Sequence, residues 1–195
     1  MHYRLYVLTN KENAKTSQEA RDYVYNQLDN DKSFCGEGGR FSCPIADWFV
    51  IGGRWSGALT QLLLDQDKLK EFWEEFEKQK LGWTNLTDKK EEDQQRKSQE
   101  LFMQYFPKFK GEIPVWRDSS HKYIHEGSED DAQIVTKKLW EALEKEYKEN
   151  KKHVESIPNY PILQDDGICD LEEEDGINEI NVVGKKWLVV VDYHN

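Results

Sequence analysis

Both ends of this chain carry short segments that are apolar on two faces, and this feature limits the possible folds more than any other. Near the amino terminus, Tyr3 to Thr9 reads YRLYVLT, and the chain closes with KKWLVVVDYHN. Strands with two apolar faces are typical of the interior of a sheet that is covered on both sides. The segments between them carry helical patterns. We therefore predict an α+β fold in which a single mixed or antiparallel sheet contains the N- and C-terminal strands and packs with three to four helices.

The chain has 195 residues, which favours a single domain over residues 1–195. The first helix is predicted in TSQEARDYVYNQL, where Thr16 and Glu19 have the spacing of a capping box. Further helical patterns with strongly charged faces predict a polar helical insertion at about residues 62–110. A last helix is predicted from about Glu129 to Glu149, with Ser128 as its cap.

The charge balance argues against bulk binding to nucleic acid. The 38 acidic and 27 basic residues give a formal net charge of −11, which repels a phosphate backbone unless basic residues are segregated on one face. No apolar run approaches the length needed to span a bilayer, and MHYRLYVLTN lacks the regions of a signal peptide. We expect a cytoplasmic protein that does not associate with membranes.

The least ordinary stretch is DWFVIGGRWSG, from Asp47 to Gly57. Paired glycines allow backbone angles closed to other residues and let main-chain N–H groups converge on an anion. A neighbouring arginine adds a planar charged fork suited to phosphate, and a tryptophan can stack on a flat ring. The stretch therefore predicts a site for a nucleotide-like ligand, with ligand-binding roles for Asp47, Gly52, Gly53, Arg54 and Trp55.

A purely architectural interpretation of the same stretch stays open. In it, the glycines form a bulge that ends the strand, Arg54 pairs with Asp47 or Asp192, and Trp55 belongs to the core. The pattern is neither the dinucleotide-binding fingerprint nor a P-loop, so the glycines alone do not choose between the two interpretations.

Two further groups of residues are candidates for catalysis or metal binding. Asp192 and His194 lie on one face of the last strand, about 6.5 Å apart, and predict a general base (His194) with an orienting partner or metal ligand (Asp192). The alternative is a strand end that simply faces water. In EGSEDDAQ, Asp130 and Asp131 are candidate ligands for Mg²⁺ or Mn²⁺, although acidic residues at a helix start also compensate the helix dipole.

Three blocks, DWFVIGGRWSG, EDDAQIVTKKLW and LVVVDYHN, resemble an uncharacterised family of small proteins from phages, mobile elements and some bacteria. The resemblance covers residues 47–57, 129–140 and 188–195. It implies that these separated positions cluster in one fold, and a phage-like origin favours a role against host defence.

Three functions follow as hypotheses. The first is an intracellular, phage-type accessory protein that binds or hydrolyses a nucleotide. If it is an enzyme, it is a phosphoester hydrolase in which Arg54 stabilises developing charge, with Mg²⁺ as a possible cofactor. The second is an acidic protein inhibitor or nucleic-acid mimic, comparable to an anti-CRISPR protein, whose partner is a host nuclease or another nucleic-acid-binding protein. The third is an assembly protein that docks through exposed aromatic residues.

Overall fold

The fold is described from a computed structural model, which describes residues 2–30, 46, 48–81, 88–110, 113, 128–151, 162–164, 167–169 and 178–194. Asp47, to which the sequence assigns a ligand-binding role, lies outside the described residues. None of the helices in these ranges is both long enough and apolar enough to cross a membrane.

In these ranges the chain forms six strands and six α-helices. The strands are β1 His2–Asn10, β2 Trp48–Ile51, β3 Ala132–Ile134, β4 Ile162–Gln164, β5 Gly167–Cys169 and β6 Lys186–His194. The helices are α1 Ser17–Asn30, α2 Ala58–Leu62, α3 Gln66–Lys78, α4 Asp88–Tyr105, α5 Lys137–Lys151 and α6 Glu179–Val182.

All six strands belong to one sheet with the order β2-β6-β1-β4-β5, and β3 also pairs with β6. The two terminal strands lie side by side and antiparallel over their whole length, from the pair His2 and His194 to the pair Asn10 and Lys186. β1 pairs with β4 in parallel, so the sheet is mixed. The prediction of an α+β fold whose single sheet contains the N- and C-terminal strands is confirmed.

The free side of β6 is shared between two short strands. β2 pairs with its last residues, with Ile51 opposite Val191, while β3 pairs with its first half, with Ala132 opposite Val189. Between them, the carbonyl of Val190 accepts a hydrogen bond from the Gly52 N–H at 2.8 Å. The chain therefore turns away from the sheet just after β2, in the gap between two strands.

The two faces of the sheet bury different sets of helices. Because side chains alternate along a strand, neighbouring residues of β1 and β6 enter different cores. On one face, α1 packs against Leu5, Val7, Val189 and Val191 through Ala20, Val24 and Leu28. On the other face, Leu59 of α2, Leu139 and Leu143 of α5, and Val182 of α6 pack against Tyr6, Leu8, Leu188 and Val190.

α3 and α4 lie within the segment where the sequence predicts a polar insertion, and they share a separate aromatic core. Phe72 contacts the rings of Trp73, Phe76, Phe102 and Tyr105, with ring centroids 4.8–6.1 Å apart. Charged residues cover the outer surfaces, while the inner surfaces bury large aromatic side chains. A helical segment can thus be polar in composition and still form a hydrophobic core of its own.

The prediction of one helix from Glu129 to Glu149 is wrong at its start. Ser128 caps a single 3-10 turn, Glu129–Asp131, and the chain then forms β3 before α5 begins at Lys137. Thr136 caps this helix, since its Oγ1 accepts the Leu139 N–H at 3.2 Å. The physical reason is that the backbone of β6 needs a hydrogen-bonding partner beside β2, and residues 132–134 supply it.

Candidate functional site

The three sequence blocks meet at one place, the loop that follows β2. We call residues 52–57 the GGRW turn. The Gly52 N–H donates to the Val190 carbonyl of β6, and the N–H groups of Arg54 and Gly57 donate to carboxylates from the other two blocks, Asp192 and Asp131. Residues far apart in sequence therefore form a single cluster at the edge of the sheet.

The backbone of the GGRW turn adopts conformations that require glycine. Gly52, Gly53 and Gly57 have φ of 75°, 55° and 72°. A Cβ on Gly52 would overlap the Asp131 carboxylate, and one on Gly53 would lie 2.8 Å from Asp192 Oδ2. Gly52 and Gly53 leave room for two carboxylates that approach the main chain at contact distance.

Asp192 is fixed against this turn. Its Oδ2 accepts the Arg54 N–H at 3.0 Å, and only 1% of the residue is exposed. A hydrogen bond from a main-chain N–H to a carboxylate is charge-assisted and stronger than one between neutral groups. Asp192 thus holds the turn to β6 and does not project into solvent.

Asp131, in the 3-10 turn Glu129–Asp131, also holds the GGRW turn. Its Oδ1 accepts the Gly57 N–H at 3.0 Å, and the side chain is buried. Burial raises the pKa of this carboxyl from its ordinary value of 3.8 to about 6, although Ser56, the Gly57 N–H and the charge of Arg21 act in the opposite direction. The raised pKa shows that desolvation of the charged carboxylate outweighs its hydrogen bonds.

These contacts change how the turn can bind an anion. Two of its N–H groups bind internal carboxylates, and those of Trp55 and Ser56 bind the carbonyls of Gly52 and Gly53 at 3.0 and 3.4 Å. Most of the main-chain donors of the predicted cradle are therefore already engaged. The Arg54 guanidinium is half-buried and has no hydrogen-bonding or ion-pair partner among the described residues.

Trp55 lies against a partly buried ion pair. Its ring centroid is 5.1 Å from the guanidinium carbon of Arg4, which also lies over the ring of Tyr6 at 5.2 Å. Arg4 in turn forms a salt bridge of 2.7 Å with Glu146 of α5, and the Tyr6 hydroxyl donates to the same carboxylate at 3.2 Å. One face of Trp55 is thus occupied, and its indole N–H is buried without a partner in the described part of the chain.

Sequence reasoning missed Arg4, Tyr6 and Glu146. Two signals in the sequence point to Arg4 and Glu146. Arg4 is the charged residue in the largely apolar segment YRLYVLT. Glu146 follows Leu139 and Leu143 at helical spacing, so a carboxylate falls on the buried stripe of α5.

His194 lies next to the turn on the same face of β6 as Asp192. It pairs with Trp48 across the strands, and the two rings are stacked with centroids 5.7 Å apart and an interplanar angle of 5°. Trp48 is 41% exposed, while His194 is half-buried. This stack is an aromatic surface that a flat ligand can contact.

The two predicted metal ligands, Asp130 and Asp131, lie in different environments. Asp131 binds the turn, whereas the neighbouring Asp130 lines an open cavity beside α2 and α4. Within the described ranges, no three His, Cys, Asp or Glu side chains come together in a group suited to a metal ion.

Comparisons with protein-family models, with curated protein sequences and with solved structures each found no match. The function is therefore inferred from the geometry of the GGRW turn and its neighbours.

Proposed function

We propose that this protein binds a nucleotide-like anionic small molecule on the surface beside the GGRW turn. The observation that carries the proposal is the position of Arg54. Its main-chain N–H is held by the buried Asp192, and the same turn is held by Asp131, while its guanidinium has no partner among the described residues. The planar guanidinium matches the geometry of a phosphate, and the held backbone fixes the position from which this side chain extends.

The aromatic part of such a ligand would contact Trp48. In the sheet register Val50 lies opposite Asp192 and Trp48 lies opposite His194. One side-chain repeat along the strand, about 6.5 Å, therefore separates the Trp48–His194 stack from the carboxylate that holds Arg54. This spacing suits a ligand with a flat ring next to a phosphate. Trp48 takes the stacking role that the sequence suggests for Trp55, since Trp48 is 41% exposed, whereas Trp55 is half-buried against Arg4.

The geometry favours binding over hydrolysis. Asp192 is buried and its Oδ2 is engaged by the turn, which makes it a positioning group for Arg54. A hydrolytic reaction would need His194 as the general base, acting on a water beside a phosphate held by Arg54. In a phage-type accessory protein, capture of a host nucleotide signal would be sufficient to counteract a defence system.

The alternative, an acidic inhibitor that imitates nucleic acid, has less support. Asp93 of α4 pairs with Arg96 and Lys97, and Glu75 of α3 pairs with Lys78. These exposed pairs neutralise part of the negative charge along both helices, whereas a nucleic-acid mimic needs an uninterrupted row of negative charge. Binding to a basic partner protein that weakens steeply with salt would favour this alternative.

The first test is a titration of wild-type protein and the Arg54→Ala variant with mono-, di- and cyclic nucleotides, with and without Mg²⁺, by thermal shift and calorimetry. We expect a nucleotide to stabilise the wild type and to bind the variant at least about tenfold more weakly, because a charge-assisted hydrogen bond is lost. Arg54→Lys should fall between the two, since lysine keeps the charge but not the planar fork.

Arg96→Ala is the matched control, because Arg96 is exposed on α4 and pairs with Asp93 of the same helix. It should bind nucleotides as the wild type does. Equal nucleotide affinity in wild type and Arg54→Ala, or no stabilisation of wild type by any nucleotide, would contradict the proposal. Analysis of the nucleotide after incubation with wild type and His194→Ala decides between binding and hydrolysis.

A further inference from the structure

An open cavity of about 670 Å³ lies where the helical pair α3–α4 meets the body of the protein. Its walls come from α2 and the link to α3, from residues that follow α4, and from the start of α5. The volume falls in the range of small-molecule sites, roughly 300–1,000 Å³. None of the GGRW turn residues lines it.

The charge of this cavity is opposite to that of the protein. Four lysines line it, Lys68, Lys108, Lys110 and Lys138, together with two aspartates, Asp65 and Asp130. The carboxylate of Asp65 is engaged as the cap of α3, where its Oδ1 accepts the N–H groups of Asp67 and Lys68, both at 3.1 Å. A concentration of lysines in a chain of net charge −11 attracts anions to one place.

Two of these lysines occupy positions that the helix dipole disfavours. Lys68 is in the first turn of α3 and Lys138 is in the first turn of α5, both at the positive end of a helix. The Lys138 ammonium donates to the Leu63 carbonyl at 3.2 Å, while the ammonium groups of Lys68, Lys108 and Lys110 have no hydrogen-bonding or ion-pair partner among the described residues. An anion bound between them would offset this repulsion.

The apolar part of the wall is aromatic. Tyr105, Phe106 and Phe109 line the cavity at the end of α4. Phe106 and Phe109 belong to the α3–α4 core through Phe102, with ring centroids 4.8 and 5.1 Å away, so their positions are fixed by packing. Flat rings beside lysines match a ligand that combines a planar ring with phosphate groups.

We propose that this lysine-lined cavity is a second ligand site, specific for a free nucleotide with at least one phosphate. It is independent of the site at the GGRW turn, because the two sites share no residue. The ring of the nucleotide contacts Tyr105 and Phe109, and its phosphates lie among Lys68, Lys108 and Lys110.

The test is calorimetric titration with ADP, adenosine and pyrophosphate, which separate the contribution of the ring from that of the phosphates. We expect ADP to bind more tightly than either part alone, and its affinity to decrease with added salt. The double variant Lys108→Gln/Lys110→Gln should bind ADP at least about tenfold more weakly, because two phosphate contacts are removed. Both lysines are exposed, so the fold should survive the change.

The matched control is Lys70→Gln/Lys148→Gln, which removes the same charge from exposed positions of α3 and α5 outside the cavity. It should bind ADP as the wild type does, and so should Arg54→Ala at this site. No ADP binding to wild type at millimolar concentration, or equal affinity in the cavity variant and the wild type, overturns the proposal. ADP binding that is lost in Arg54→Ala and kept in the cavity variant also overturns it, and that result supports the site at the turn.

Discussion

A side chain at position 52 would overlap the carboxylate of Asp131. The carboxylate of Asp131 lies where the Cβ of any other residue at position 52 would be, and it binds the Gly57 N–H five residues further along. The turn therefore depends on two features at once, a glycine that leaves the space open and a buried carboxylate that fills it. Such mutual dependence is invisible when each residue is considered alone.

Gly52→Ala should destabilise the protein by more than about 2 kcal/mol, because strained backbone and steric overlap each cost about 1–3 kcal/mol. The control is Gly184→Ala. Gly184 has a similar φ of 73°, but nothing lies within 4 Å of the position its Cβ would occupy. Urea denaturation of both variants separates the cost of backbone strain from the cost of steric overlap. Equal free energies of unfolding would show that the overlap with Asp131 is relieved easily.

Asp131 should make stability depend on pH. Its pKa is raised from 3.8 to about 6 in the folded state, so between these values the folded protein retains a proton that the unfolded chain has lost. The free energy of unfolding should therefore fall as pH rises through this interval, by about 3 kcal/mol, and this contribution should level off above it.

Asp131→Asn should abolish that part of the pH dependence, because the amide does not titrate and its oxygen can still accept the Gly57 N–H. Asp130→Asn is the control and should show the same pH dependence as the wild type. The measurement is urea denaturation at several pH values between about 4 and 7. A slope that is the same in Asp131→Asn and wild type would mean that another group is responsible.

At the scale of elements, residues 132–134 form the strand β3 because they pair with β6. Ala132, Val135 and Leu139 have helical spacing in the sequence, and all three are buried in the fold. A helix and a strand followed by a helix both bury them, so local pattern does not decide between the two. The open backbone donors and acceptors of β6 decide, since residues 132–134 pair with it.

Thr136 marks the point where strand gives way to helix. Thr136→Ala should destabilise the protein by about 1 kcal/mol, because the cap of α5 at the Leu139 N–H is lost. Thr136→Ser keeps the hydroxyl and should restore most of this stability. Thermal and urea unfolding of the two variants measure the difference, and equal stability of both would argue against the cap.

At the scale of the whole molecule, the described residues form three hydrophobic clusters. Two lie on opposite faces of the sheet and share its central strands, while the third joins α3 to α4. The lysine-lined cavity is at the seam between the third cluster and the body. This arrangement predicts that the helical pair and the sheet differ in their response to core substitutions.

Phe72→Ala should destabilise α3 and α4 by about 3–5 kcal/mol and increase amide hydrogen exchange there more than in β1 and β6. The counterpart is Leu139→Ala, which removes a buried side chain from the core between α5 and the sheet. It should increase exchange in β1 and β6. Identical exchange patterns in the two variants would mean that the clusters unfold together.

Some features of this protein follow from the sequence alone. The apolar runs at both ends predict central strands, and β1 and β6 are adjacent at the centre of the sheet. The cap of α1 by Thr16 is also confirmed, since the Glu19 N–H donates to Thr16 Oγ1 at 3.2 Å, while the Glu19 carboxylate accepts the Lys15 N–H at 2.7 Å, one residue earlier than in a capping box. The strand character of each terminal run and the cap of α1 depend on residues close together in the chain, where periodicity and capping act directly.

Other features were decided by the tertiary structure. The sequence named Asp131 and Asp192 as candidate metal-binding and catalytic residues, but not as the carboxylates that bind the main-chain N–H groups of DWFVIGGRWSG, because they lie 74 and 138 residues beyond their partners. Likewise, Arg4 and Glu146 meet across 142 residues. Glycines, aspartates and arginines have the same local preferences in a ligand site and in a structural turn. Only the contacts made by the fold determine which groups are already bound and which, like the Arg54 guanidinium, remain available in the described part of the chain.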